Sequence, residues 1–182
     1  MREIEGIEKV IESLKSHWGE IDARFNEENR RFIALFGRRH DVIGRLLKCH
    51  LVVEHYLERF LSDHFGIENV EDAKLGFYNK AALLPSKSSS AAFVKPGILR
   101  LNVLRNRIGH SLGNEPAFDD LGPIRDVLQV ARQGVHFAAP IDAIEAFTTV
   151  ACTWLIVPDR RHRKLFEEAF SDVRVSARPA SK

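Results

Sequence analysis

The chain is short of several things, and each shortage excludes something. Among 182 residues there are two cysteines, Cys49 and Cys152. Both sit in apolar helical patterns, Leu46-Leu47-Lys48-Cys49 and Val150-Ala151-Cys152-Thr153-Trp154, so they read as buried free thiols rather than a disulfide. Two cysteines without metal-ligand spacing exclude a zinc module, and no metal or cofactor is expected. The longest apolar stretch, residues 146–157, is too short to span a bilayer and carries two threonines. The N-terminus opens with charged residues in an amphipathic pattern, unlike a signal peptide. These features point to a cytoplasmic protein with no membrane partner. No segment alternates in period two with β-branched residues, which excludes an extensive sheet. There is no internal repeat. Net charge is also scarce, at +2, so bulk charge does not declare a nucleic-acid binder. Residues 81–182 are nonetheless mildly basic, with 14 basic and 10 acidic side chains. That balance suits a phosphate-binding patch without requiring one.

What is present is helical periodicity. Ile4, Ile7, Ile11, Leu14, Trp18, Ile21 and Phe25 alternate spacings of three and four, a heptad seam of about three repeats. This predicts an amphipathic N-terminal helix or arm over residues 1–37. The seam suits packing on the chain's own domain or pairing with a partner chain. A second helix is expected from Asp41, a possible N-cap, to a stop at Gly66, with enough apolar residues to be the central core helix. A shorter helix is expected between Glu71 and Leu84. The serine-rich stretch 85–90 reads as a mobile loop. Pro96 suits the first turn of a third long helix that ends near 111–113. Residues 114–122 read as an acidic loop. Pro123 and Pro140 open two further helices, and Arg160 leads a last short one. The fold class is therefore all-α, with a helical domain over 38–175 and a disordered tail over 176–182.

The most informative short stretch is Arg105-Asn106-Arg107-Ile108-Gly109-His110. Arginine holds phosphate oxygens in a planar fork of donors. Histidine exchanges a proton near neutral pH. Residues five apart on an ideal helix are turned by roughly 140° from one another. Arg105 and His110 therefore converge only if the helix ends or distorts near Gly109, or if two chains meet. Alternatively, Arg105 is a structural ion-pair residue, with Glu54 as a possible partner, and His110 a cation at a helix C-terminus. His50 and Glu54, one turn apart, read as satisfied interior polar groups.

The stretch Leu101-Asn102-Val103-Leu104-Arg105-Asn106-Arg107-Ile108-Gly109-His110 resembles the signature of the HEPN superfamily, an Arg followed by a polar residue and, after four to six residues, a His. The segment 50–61 resembles the long core helix of those domains, and 75–84 the short helix that often precedes the motif helix. The resemblance covers about residues 41–155. It implies an up-and-down helical bundle that forms a homodimer and brings two motifs into one cleft. It further implies a metal-independent endoribonuclease that cleaves single-stranded RNA, in a toxin–antitoxin or antiviral defence setting with an antitoxin or defence partner. Arg105, His110 and Asn106 would then be catalytic, with Arg107, Arg100 and Lys95 as RNA contacts. Some members keep the fold and serve only for dimerisation or ligand binding, so the alternative for this chain is a noncatalytic dimerisation or adaptor module. In the subgroup paired with a minimal nucleotidyltransferase, a tyrosine lies two positions after the histidine; here that position is Leu112.

Overall fold

The computed structural model describes residues 12–36, 40–66, 70–110, 115–157 and 160–174. Among them the secondary structure is helical, apart from one isolated bridge between Lys87 and Arg174. The chain divides into two compact units, 1–39 and 40–182.

In the first unit, a 3-10 turn, Lys15–His17, leads into α1, Trp18–Phe36. Its described pairs are local: Asn26 donates to Asp22 at 3.0 Å, and Lys15 lies 3.6 Å from Glu12. Leu14 is 39% exposed and Trp18 51%. The earlier seam positions Ile4, Ile7 and Ile11 lie outside the described residues, as does the side chain of Phe25.

The second unit holds α2 (His40–Phe65), α3 (Phe77–Ala82), α4 (Ser90–His110), α5 (Pro123–Ala131), α6 (Pro140–Trp154) and α7 (Arg160–Ala169). Helix α2 buries Val42, Leu46, Cys49, Val53, Leu57, Phe60 and Leu61. That three-and-four spacing faces one side of a helix toward the core. Its opposite face leaves Leu47 and Leu51 exposed. Gly66, at φ +66°, ends α2 in the left-handed region that glycine tolerates best. The two thiols of Cys49 and Cys152 are free and buried, and burial raises both, Cys152 to about 11.

Helix α2 packs against α3, α4 and α6, and α4 packs against α2, α3, α5 and α6, so the two share the centre of the unit. Two features allow this. Ala91, Ala92, Val94, Ile98, Leu101 and Leu104 are buried to within 1%. A Cβ on Gly97 would lie 2.4 Å from Phe147 Cε2, so only glycine lets α4 approach α6 at that point. Pro96 does not lie in the first turn, where the sequence placed it. It lies inside α4, which begins six residues earlier at Ser90. The Ser90 hydroxyl donates to the Trp154 carbonyl at 2.9 Å, joining the start of α4 to the end of α6.

Charged side chains clamp the helices. Arg45 on α2 donates to Glu145 at 2.8 and 2.6 Å and to Asp142 at 2.7 Å, fastening α2 to α6. The expected helix over 71–84 splits into a 3-10 turn, Val70–Ala73, and the six-residue α3. The expected mobile loop at 85–90 has fixed partners. The Ser88 amide donates to the Val173 carbonyl at 3.0 Å, and Ser86 accepts from Lys95 at 3.0 Å. The acidic loop contains a 3-10 turn, Phe118–Asp120. Helices α5 and α6 start at Pro123 and Pro140, where the missing N–H costs no helical bond. Pro158 and the tail beyond 174 lie outside the described residues. Among the described residues no helix is long and apolar enough to cross a membrane.

Candidate functional site

Helix α4 carries the motif. Its core face, Leu101, Leu104 and Ile108, anchors the last turns, which sets Arg105 on the exposed side. The helix is continuous through His110, its final residue. The backbone therefore keeps positions 105 and 110 about 140° apart, and no break at Gly109 turns them toward each other. The side chain of His110 lies outside the described residues.

The cations of α4 have different surroundings. Arg107 donates to both carboxylate oxygens of Asp120, at 2.7 and 2.5 Å. This two-pronged bond, with a further one from the Ala117 amide at 2.8 Å, pushes the Asp120 carboxyl down to about 2. Arg100 donates from Nε to the backbone carbonyl of Asp120 at 2.5 Å. Lys95 donates to the carbonyls of Ala82 and Leu84 at 2.9 and 2.5 Å. Burial lowers the pKa of its ammonium. The three side chains read from sequence as RNA contacts thus each hold the fold together. Arg105 differs. Its guanidinium donates to Asn106 Oδ1 at 3.1 Å, and among the described residues it has no carboxylate partner.

Glu54, the ion-pair partner suggested for Arg105, is taken by another cation. Lys80 on α3 donates to Glu54 at 2.8 Å and to Glu58. Burial opposes the Lys80 charge, but the two carboxylates outweigh it and raise its pKa. His50 lies beside this cluster, buried, stacked on Phe77 at 3.9 Å between ring centroids. Its Nε2–H donates to Asn102 Oδ1 at 3.4 Å, and Nδ1 lies 4.0 Å from Glu54. Burial lowers the His50 pKa, and the positive field of Arg105 adds to that. His50 and Glu54 are interior polar groups with partners, as their spacing suggested. Among the described residues no cluster of His, Cys, Asp or Glu can hold a metal ion.

Three residues escaped the sequence reading. Asp120 looked like one more acid in a loop; only its seat between Arg100 and Arg107 reveals it as the clamp on α4. Arg125 on α5 and Arg132 just past its end line a cavity of about 600 Å³ together with His136.

No family model, curated protein or solved structure matches the chain.

Proposed function

We propose that the protein is a HEPN-type, metal-independent endoribonuclease acting on single-stranded RNA as a homodimer, in a toxin–antitoxin or antiviral defence system. The observation that carries this reading is the contrast on α4. Lys95, Arg100 and Arg107 are spent on the fold, while Arg105 is exposed and free of any carboxylate among the described residues. A guanidinium kept in water beside an amide is arranged for an outside anion, not for an internal pair. The order long helix, short helix, motif helix also agrees with the resemblance.

The chemistry follows from RNA itself. A base takes the proton of the 2′-hydroxyl, the 2′-oxygen attacks phosphorus, and the 5′-oxygen leaves with a proton from an acid. The products are a 2′,3′-cyclic phosphate and a 5′-hydroxyl. Arg105 holds the non-bridging oxygens as their charge grows. Asn106, bonded to Arg105, orients the guanidinium. His110 supplies one proton-transfer group per chain, and a two-fold dimer supplies both. Exposed Leu47, Leu51 and Val103, on α2 and α4, offer apolar area for such pairing. The test is cleavage of a single-stranded RNA in EDTA. Arg105→Ala and His110→Ala abolish it with the dimer intact; cleavage retained in both variants removes this reading.

A second reading, a noncatalytic dimerisation or adaptor module, is favoured by the exposure of Leu14 and Trp18 on the N-terminal seam. It predicts no cleavage, and loss of assembly when Ile11 and Leu14 are replaced by charged residues.

A further inference from the structure

Helix α4 carries a buried asparagine that the motif does not include. Asn102 is 8% exposed. Its Oδ1 accepts from His50 Nε2–H at 3.4 Å, so α2 holds the carbonyl end of the side chain. The His50 ring is itself fixed by stacking on Phe77. The other end, Nδ2, has no hydrogen-bond partner among the described residues and is not sealed from solvent. Folding strips most of the water from such a side chain, and a donor left without a partner there costs free energy. An acceptor from outside the chain removes that cost.

The helix places this amide beside the motif. At about 100° per residue, position 102 is turned about 60° from Arg105 and about 40° from Asn106, so it falls between them, one turn nearer the N-terminus. The two asparagines are held alike. Oδ1 of Asn106 is taken by the Arg105 guanidinium at 3.1 Å, as that of Asn102 is by His50. Both amide nitrogens are left as donors among the described residues. Glu54 lies against the other nitrogen of His50, at 4.0 Å, and is paired with Lys80. Gly109, about 20° from Asn102 and two turns on, puts no side chain over this stripe. A Cβ there would have as its nearest neighbour the end of Arg105, at 4.0 Å. Donors without acceptors suit an oxyanion, and two neutral amides with one guanidinium suit an oxyanion of single charge, such as a backbone phosphodiester.

We propose that Asn102 is a further phosphate-binding residue of this face, donating from Nδ2 to a non-bridging oxygen of single-stranded RNA beside Arg105, and that His50 is the positioning residue that keeps the amide turned donor-outward. Without the His50 N–H, the amide is free to rotate by half a turn and face the phosphate with its carbonyl. The choice of RNA as ligand rests on the ribonuclease reading, whereas Asn102 and His50 lie outside the residues which that reading uses.

The test is fluorescence anisotropy of the full chain, in EDTA, with a single-stranded RNA oligomer methylated at every 2′-oxygen so that it cannot be cleaved. Cleavage of the unmodified oligomer is followed beside it. Saturable binding is expected. Asn102→Leu, similar in shape, should weaken it about tenfold, the worth of one hydrogen bond to a charged group. Asn102→Asp keeps an acceptor for His50 but sets a carboxylate oxygen where the donor was, and should weaken binding further. A merely structural asparagine gives the opposite order, with Asp tolerated better than Leu. His50→Phe keeps the ring and loses the N–H, and should weaken binding; His50→Gln, which can donate the same bond, should restore part of the loss. Thermal melting checks each variant, and where Leu prevents folding the Asp variant decides. The proposal is overturned by no saturable binding to the parent, by Asn102→Asp binding as the parent does, or by Asn102→Leu and His50→Phe both doing so. Parent cleavage with any of those results leaves the ribonuclease reading standing. Binding in the expected order without cleavage keeps this site and removes the ribonuclease reading.

Discussion

Arg107 and Asp120 are joined by two parallel bonds, from Nη1 at 2.7 Å and Nη2 at 2.5 Å, across thirteen residues of sequence. This pair fixes the turn before α5 against the motif helix. It also makes stability depend on acidity. The Asp120 carboxyl is held at about 2 in the folded chain, below its usual 3.8. Its contribution is therefore fully present above about pH 4 and is lost as pH falls toward 2. Asp120→Asn should destabilise the protein by about 1–2 kcal/mol at pH 7. The gap from the parent should close by pH 2 in urea denaturation. A gap that stays constant across that range would contradict the assignment.

Arg105 is exposed and makes one bond, to its neighbour Asn106. Arg105→Ala should therefore leave stability within about 0.5 kcal/mol, while RNA cleavage falls by a factor of 100 or more. Arg105→Lys keeps the charge but loses the planar fork, and should recover only part of the activity. Thermal melting and a single-turnover cleavage assay separate the two effects.

His50 is buried and neutral in preference to charged. A depressed histidine stabilises the fold above its unfolded pKa, near ~6.5, and that contribution declines as pH falls below it. His50→Gln, which cannot be protonated, should flatten the pH dependence of unfolding below pH 6.5. A parent and variant with parallel profiles would show that His50 titrates normally.

Lys80 bonds both Glu54 and Glu58 with a side chain 7% exposed. Lys80→Met leaves two partly buried carboxylates facing each other without a cation. The expected cost is about 3 kcal/mol, readable as a shift in the denaturation midpoint. Adding Glu54→Gln should return part of it.

Gly97→Val should cost more than Gly109→Val. A side chain at Gly97 meets Phe147 at 2.4 Å, whereas at Gly109 the nearest atom is the end of Arg105 at 4.0 Å. Overpacking at the first site should lower stability by about 1–3 kcal/mol, with little change at the second beyond helix propensity. Calorimetric melting of both variants decides it.

The helices were legible because their apolar residues recur at three and four, and because Pro123, Pro140 and Gly66 mark ends by backbone chemistry alone. The start of α4 was not. Pro96 looked like a first-turn residue, yet packing of Ala91, Ala92 and Val94 extends the helix backward past it. That α4 shares the centre with α2 was not legible, because apolar content says nothing about which helix has neighbours on several sides. At the motif, that Arg105 has no carboxylate partner among the described residues depends on where Asp120 and Glu54 fold, which no local pattern contains. Likewise Lys95, Arg100 and Arg107 looked alike in sequence; only tertiary partners tell structural cations from available ones.

Lys95 has a consequence for the order of folding. Helix α3 is six residues long, too short to persist in water by itself. Two carbonyls at and just past its end, Ala82 and Leu84, are satisfied by Lys95 from the following helix. Helix α3 is thus a product of docking, not a precursor to it. Its amides should gain protection from hydrogen exchange only after those of α4, so the motif helix is the earlier of the two to be built.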